Sequence, residues 1–349
     1  MIRCSVIGAA GYWSNNIIRC LLENNDVEIS VLCDLNEKRL FEVAKKFRLY
    51  GKSILSTEYQ DIKSSEVDAV FVCTPAKSHF EIAKHFLNMG KHTFVEKPLT
   101  MNVVDALELN AIVDSYSNKQ YIGNNKPISI KMMAGHVFLY SESVKKINDL
   151  IKDDKIIYIT SRRLNLGRIQ SDINAMWSLM PHDLSIINHL MDSMPDKIEA
   201  TGHCYISKDI EDVVFVNLIY PNNRFANVQV SWLNPLKTRE MTIVCEKKMI
   251  VYDDCDNDTP IKVYDKGVDY IPPENERAYS VKLRSGDIWC PKIKAIEPLK
   301  TEIDVFIDWI LNDKEPPISA GTNGLEIVEV LDKAQKSLEK NRMAPTIMK

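Results

Sequence analysis

The chain has 349 residues, long for one domain and comfortable for two. An apolar fraction of 45% and a charged fraction of 26% argue against disorder of the whole chain, and a net charge of −4 leaves no basic footprint for nucleic acid. No stretch approaches the ~20 consecutive apolar residues of a membrane span, so no membrane partner is expected.

Arg3 and the run Cys4 to Trp13 have the outline of a short signal peptide. The same residues make a better strand and glycine loop that run directly into a helix, and they are read that way. Ser5-Val6-Ile7 predicts a short buried strand, and Asn15 to Leu22 a helix on the spacing of Ile17, Ile18, Leu21 and Leu22. Val27 to Cys33 predicts a second strand and Glu37 to Phe47 a second helix. Ala69 to Cys73 is a continuous apolar run, as in a strand buried on both faces. Ser78 to Met89 predicts a helix with Ser78 as cap and Gly90 as stop, followed by a strand at His92 to Val95 and a helix at Asn102 to Tyr116. Repeated β-α-β units predict an α/β fold with a doubly wound parallel sheet.

The pattern breaks near Gln120 to Lys126, and the domains are divided there as 1–124 and 125–349. Beyond it, Ile128 to Ala134 predicts a strand, Ser141 to Ile151 a helix, and Ile156 to Arg162 a strand with Ile156, Tyr158 and Thr160 on one face. Ile198 to Ile206, Val213 to Tyr220, Phe225 to Leu233 and Met241 to Cys245 predict an antiparallel meander, and helices at Leu299 to Asn312 and Gly324 to Lys340 close the chain. The second domain is therefore α+β with an open antiparallel sheet. Eight cysteines without a C-x-x-C pair, several inside apolar runs, predict buried thiols in a reducing, cytoplasmic setting.

The loop Gly8-Ala9-Ala10-Gly11-Tyr12-Trp13-Ser14 follows the first strand and opens a helix. It departs from G-x-G-x-x-G at Ala10 and Trp13, and matches G-x-x-G-x-x-G except at Ser14. Gly8, Ala10, Gly11, Tyr12 and Trp13 are thus candidates to turn backbone N–H groups toward a pyrophosphate. Asp34, at the end of the second strand, stands where a carboxylate accepts from a ribose 2′-OH and repels a 2′-phosphate. Its alternative role is to cap the next helix. Together these point to NAD as cofactor.

Residues 73 to 98 carry the strongest signal: Cys73-Thr74-Pro75-Ala76-Lys77-Ser78-His79, Gly90-Lys91-His92 and Val95-Glu96-Lys97-Pro98. They closely resemble the Gfo/Idh/MocA family of sugar and inositol oxidoreductases. The likeness continues through Gly135-His136-Val137-Phe138, Arg163 to Arg168, Trp177 to Asp183, Ser231 to Pro235 and Val251 to Asp254, segments similar to a nucleotide-sugar branch. The resemblance implies a Rossmann domain followed by an α+β domain whose large sheet supports homodimers or homotetramers. It also implies roles. Lys97 matches the lysine at the reacting hydroxyl and His182 the histidine proposed as general base. Glu96 matches a residue shaping the nicotinamide pocket, and Thr74, Pro75 and His79 line the cofactor side. The chemistry agrees, because hydride transfer needs a group to take the hydroxyl proton and a cation to steady charge on oxygen.

Two departures stand out: Ser178 and Ser185 occupy places where many members carry aspartates, which leaves the partner orienting His182 open. His182 has an alternative role, as a cap for a helix from Leu184 to Met191. The segment Ser117 to Met133 is longer than usual for the family. For the substrate, Arg163, Asn165 and Arg168, with Trp177, His182 and Asp183, form the candidate surface. The arginines suit a diphosphate, or else form ion pairs at a solvated strand end. No metal site is expected. The leading expectation is an NAD-dependent enzyme acting on a ring hydroxyl or ketone, C3 of a UDP-N-acetyl sugar. Alternatives are an inositol or free-sugar dehydrogenase, and a non-catalytic NAD-binding sensor or scaffold.

Overall fold

A computed structural model describes residues 1–117, 129–167, 169–271, 280–313 and 316–341. The chain forms two compact units, Met1–Tyr140 with Glu297–Asp332, and Ser141–Ile296 with Lys333–Lys349. The sequence boundary at 124/125, and most of the long segment from Ser117 to Met133, lie outside the described residues. The units divide later than that boundary, and one cut does not describe them because residues 297–332 return to the first unit.

In the first unit the strands are β1 (Ile2–Ile7), β2 (Val27–Cys33), β3 (Ile54–Ser56), β4 (Ala69–Val72), β5 (His92–Glu96) and β6 (Met132–Gly135). The helices between them are α1 (Ser14–Leu22), α2 (Glu37–Lys46), α3 (His79–Asn88) and α4 (Val103–Ser117). Every pairing is parallel, in the order β3-β2-β1-β4-β5-β6. That is the doubly wound order, and it reverses direction between β1 and β4, the position beyond whose strand ends such sheets bind ligands. The four residues of β4 are all buried, as its unbroken apolar run requires.

The second unit begins with α5 (Glu142–Ile151), β7 (Ile156–Leu164) and α6 (Ala175–Met191). Seven strands follow: β8 (Lys197–His203), β9 (Val213–Tyr220), β10 (Arg224–Ser231), β11 (Thr238–Cys245), β12 (Met249–Asp253), β13 (Ile261–Ile271) and β14 (Ser280–Trp289). The sheet order is β14-β13-β12-β11-β7-β10-β9-β8. It is mostly antiparallel but not a simple meander, since β10 pairs with β7 in parallel. Val214, Val216 and Leu218 of β9 and Ala226, Val228 and Val230 of β10 are buried on the face that packs against α6. Phe215 and Phe225 are exposed.

The expected face of Ile156, Tyr158 and Thr160 is not kept. Val244 pairs with Tyr158 and Cys245 with Ile156, so Ile157 is an extra, unpaired residue. The bulge shifts the alternation by one residue. Ile159, Ser161 and Arg163 are buried beyond it, and Tyr158 faces out.

The chain closes with α7 (Pro298–Asn312) and α8 (Gly321–Lys340), the latter divided between the two units. Leu299, Ile303, Phe306 and Ile307 of α7 belong to the core of the first unit, with Phe306 edge-on to Phe71 at 5.6 Å. Five cysteines are buried as expected and Cys73 is half-buried. Cys255 and Cys290 are exposed, against the expectation, because they lie in connections outside the sheets.

Candidate functional site

The glycine loop packs directly on the end of β4. Gly8 has a φ of +81°, and a Cβ there would lie 2.8 Å from the Cys73 carbonyl oxygen. Its N–H and that of Ala9 donate to the Cys33 carbonyl at 2.8 and 3.0 Å. Ser14 Oγ donates to the Gly8 carbonyl across 2.6 Å, so the serine in the third glycine place secures the turn. Trp13 precedes α1 and makes no side-chain cap bond to it, which leaves first-turn N–H groups for an anion.

Asp34 does not cap α2. That role falls to Asn36, whose side chain accepts from the Arg39 N–H. Asp34 Oδ2 accepts instead from the Ala10 N–H at 2.9 Å, and Oδ1 from the Asn36 N–H at 2.9 Å. The Arg39 guanidinium donates to the Ala10 carbonyl across 2.7 Å. A carboxylate and a guanidinium therefore hold the two successive peptide groups that flank the Ala10 Cα.

The strand ends beyond β4 and β5 carry the second cluster. Ser78 Oγ donates to Thr74 Oγ1 at 2.9 Å and makes no cap bond to α3, contrary to the capping expectation. The His79 ring lies 2.8 Å from both the Pro98 and the Thr74 carbonyl oxygens. The Trp13 indole N–H donates to Glu96 Oε1 across 2.6 Å, while Glu96 Oε2 accepts from the Lys97 N–H at 3.2 Å. A Cβ on Gly135 would lie 3.2 Å from that Oε2, so glycine is what makes room for the carboxylate. Burial raises the Glu96 carboxyl to about 6, against the pull of the Lys97 ammonium and the Trp13 bond.

Two buried groups nearby are not singled out by the sequence reading. Burial, and then Lys97, push His136 down to about 4, so its ring is neutral near pH 7. Glu302 of α7 is 0% exposed, and neither of its oxygens has a hydrogen-bond partner among the described residues. Burial, then Glu96, hold it well above the usual carboxylate range. The signal was present: Glu302 falls three residues after Leu299 and four before Phe306, on the apolar stripe of α7.

In the second unit, the Asn174 side chain caps α6 by accepting from the Trp177 N–H at 3.1 Å. It also donates to Glu211 Oε2 at 2.8 Å and Gln335 Oε1 at 3.0 Å, and the Trp177 indole donates to the same Gln335 oxygen at 3.2 Å. His182 follows Pro181 in mid-helix and is half-buried, so it is no helix cap. Ser178 Oγ accepts from Gln170 Nε2 at 2.9 Å, and Ser185 Oγ donates to the His182 carbonyl at 2.8 Å.

The described arginines of this region, Arg162, Arg163 and Arg239, are ion-paired. Arg163 is 6% exposed and Asp183 3%; Arg163 Nε donates to Asp183 Oδ2 across 2.6 Å, and Ser161 Oγ to Oδ1 across 2.8 Å. The bulge in β7 turns Arg163 inward, where it forms an ion pair, the alternative that the sequence reading keeps beside ligand binding. With Asp183 it ties β7 to α6 beside His182. Trp177 is buried as well. Arg162 pairs with Glu240 at 2.6 Å and Arg239 with Asp254 at 2.9 Å. Asn165 is half-buried, with its N–H on the Ser231 carbonyl, and Arg168 lies outside the described residues. No helix among the described residues is long and apolar enough to cross a membrane.

A doubly wound sheet with a glycine loop at its switch point, followed by a mostly antiparallel sheet, defines a two-domain dinucleotide-dependent oxidoreductase. Residues 2–124 match the oxidoreductase family with an NAD-binding Rossmann fold, and residues 165–251 match the GFO/IDH/MocA C-terminal domain. The chain belongs to the Gfo/Idh/MocA family, and NAD is the cofactor of its first domain. It is 26% identical over 245 residues to an uncharacterized oxidoreductase of Streptococcus pneumoniae, a match spanning 65% of this chain and 61% of that relative. It is 23% identical over 325 residues to an inositol 2-dehydrogenase of Rhizobium meliloti, covering 88% and 91%. A solved structure of UDP-N-acetylglucosamine 3-dehydrogenase from Acidithiobacillus ferrooxidans superposes with a TM-score of 0.77 at 21% identity, covering 97% and 98%.

Proposed function

We propose that the protein exchanges a hydride between NAD and a ring hydroxyl or ketone of a sugar, C3 of a UDP-N-acetyl sugar in the leading reading. The observation that carries this is the Trp13–Glu96 bond, which joins the glycine loop to the segment bearing Lys97. Bound NAD supplies the hydride acceptor. The α1 N-terminus and the Gly8–Gly11 turn hold its pyrophosphate, and Asp34 the adenosine ribose. Lys97 steadies negative charge on the substrate oxygen, and His182 takes the hydroxyl proton. The Arg163–Asp183 pair and Ser185 fix the helix segment that carries His182.

A second reading, an inositol or free-sugar dehydrogenase, is favoured by one specific observation. Arg163 is ion-paired with Asp183, which favours the ion-pair role over diphosphate recognition for one of the two arginines. The Rhizobium relative, matched over most of both chains, supports it too. By the same family likeness, the open face of the eight-stranded sheet, with exposed Phe215, Phe225 and Leu283, is assigned to a homodimer or homotetramer. A cytoplasmic setting accords with the substrate class.

The test is a turnover assay of NAD reduction against UDP-sugars, free hexoses and inositols. Lys97→Ala and His182→Ala should each lower kcat by roughly 10²–10⁴ while NADH affinity stays near that of the unmodified protein. Near-normal turnover in either variant removes that residue from the chemistry. Turnover with inositol equal to or above that with UDP-sugars puts the second reading first.

A further inference from the structure

The ring of His79 is 1% exposed and lies between two backbone carbonyls. Nδ1 is 2.8 Å from the Pro98 oxygen and Nε2 2.8 Å from the Thr74 oxygen. A carbonyl oxygen only accepts, and a neutral imidazole has a single N–H to donate. Both contacts are hydrogen bonds only when the ring carries two protons. In either neutral tautomer, one nitrogen lone pair faces an oxygen lone pair. The two carbonyls are not equivalent in the fold: Thr74 lies two residues beyond β4, and Pro98 two residues beyond β5. The ring bridges the two stretches of backbone that follow adjacent strands at the cofactor end of the sheet.

We propose that His79 is a proton-operated positioning residue: with two protons it ties the Thr74 segment to the Lys97–Pro98 segment, and on losing one it releases one of them. Burial of the ring is the largest force against the second proton; the carbonyls of Pro98 and Thr74 favour it, and the Lys97 ammonium opposes it. The balance lies below the ordinary imidazole value, so the transition falls on the acid side of neutrality. Of the other titratable groups on the neighbouring elements, Lys84 of α3 is paired with Glu108 of α4 at 2.8 Å near the surface, with Glu81 of α3 close by in sequence. His136 after β6 is neutral, and Glu96 of β5 titrates near 6. Glu96 therefore overlaps the range, and the readout must be specific to His79.

The experiment follows the ring nitrogens of His79 by NMR in the ¹⁵N-histidine-labelled full-length protein from about pH 5 to about pH 8. The signal is assigned by its loss in His79→Gln, and NADH affinity is measured over the same range by fluorescence. Two protonated nitrogens are expected at the acid end and one at the other. The NADH dissociation constant should rise roughly tenfold with the same midpoint, and this rise should be missing in His79→Gln. A ring with one proton throughout overturns the proposal, as does a pH dependence that His79→Gln retains. Should that variant not fold, the ring signal is assigned by through-bond correlation to the His79 backbone and the midpoints are compared in Glu96→Gln: coincidence supports the tie, and separation by more than about one unit overturns it. Neither readout uses a substrate, so the outcome is separate from the sugar assignment, on which the proposal rests only for its effect on turnover.

Discussion

The indole N–H of Trp13 reaches Glu96 Oε1 across 2.6 Å, so the loop after β1 is fastened to the end of β5 by one side-chain bond. The acceptor is a carboxyl that burial raises to about 6. Above that pH the bond is charge-assisted, and below it the acceptor is neutral and the bond weaker. Trp13 emission, taken as the difference between the protein and Trp13→Phe, should titrate with a midpoint of about 6. Glu96→Gln should abolish the titration. The sign for stability follows from the raised value. The contribution is fully present below the ordinary 4.5 and lost as pH rises through about 6, so Glu96→Gln should flatten Tm across that window.

Asp34 accepts from the Ala10 N–H at 2.9 Å and Arg39 donates to the Ala10 carbonyl at 2.7 Å, so the two side chains hold the successive peptide groups on either side of the Ala10 Cα. NADH should bind more tightly than NADPH, because a 2′-phosphate would be set against the carboxylate. Asp34→Ala removes both the repulsion and the bond to the loop, and leaves Arg39 as a partner for a phosphate. Fluorescence titration should show NADH affinity falling about tenfold and the NADPH preference rising. Tighter NADPH binding by the unmodified protein contradicts this assignment.

The buried Arg163–Asp183 pair makes a stability prediction in place of a substrate-binding one. Removing one partner leaves an uncompensated buried charge, at a cost of about 3–5 kcal/mol. Arg163→Ala and Asp183→Ala should each lower the midpoint of urea unfolding, and the double change Arg163→Met with Asp183→Leu should recover much of the loss. Were Arg163→Ala to raise KM for a nucleotide sugar with unfolding unchanged, the arginine would belong to the ligand after all.

Much of the first unit was legible because its signals are local. Val27–Cys33 is a strand with its expected bounds, and β4 declares itself by unbroken burial. The glycine loop and Glu96-Lys97-Pro98 fall at strand ends, where their sequence context places them. The misses have a common cause, since they depend on partners distant in the chain. One extra residue, Ile157, inverted the face of β7, so that Ile159, Ser161 and Arg163 are buried and Tyr158 is exposed. The parallel pairing of β7 with β10 leaves no mark on either strand. The strands β12, β13 and β14 went unpredicted, as did the first two turns of α6, where Pro181 interrupts the helical pattern. Glu302 sat unremarked in a helix read only for its apolar residues.

The proposed reaction exchanges a hydride between NAD and a carbon of a sugar ring. The direct measurement supplies NAD with sugars deuterated at their ring carbons, UDP-N-acetylglucosamine, free N-acetylglucosamine and myo-inositol in turn, and weighs the reduced cofactor by mass spectrometry. One deuterium should arrive on the nicotinamide, fastest from the UDP-sugar, and arrival should collapse in Lys97→Ala. A cofactor that binds but stays oxidised with every sugar and cyclitol, at all pH values where the protein is folded, would contradict the account.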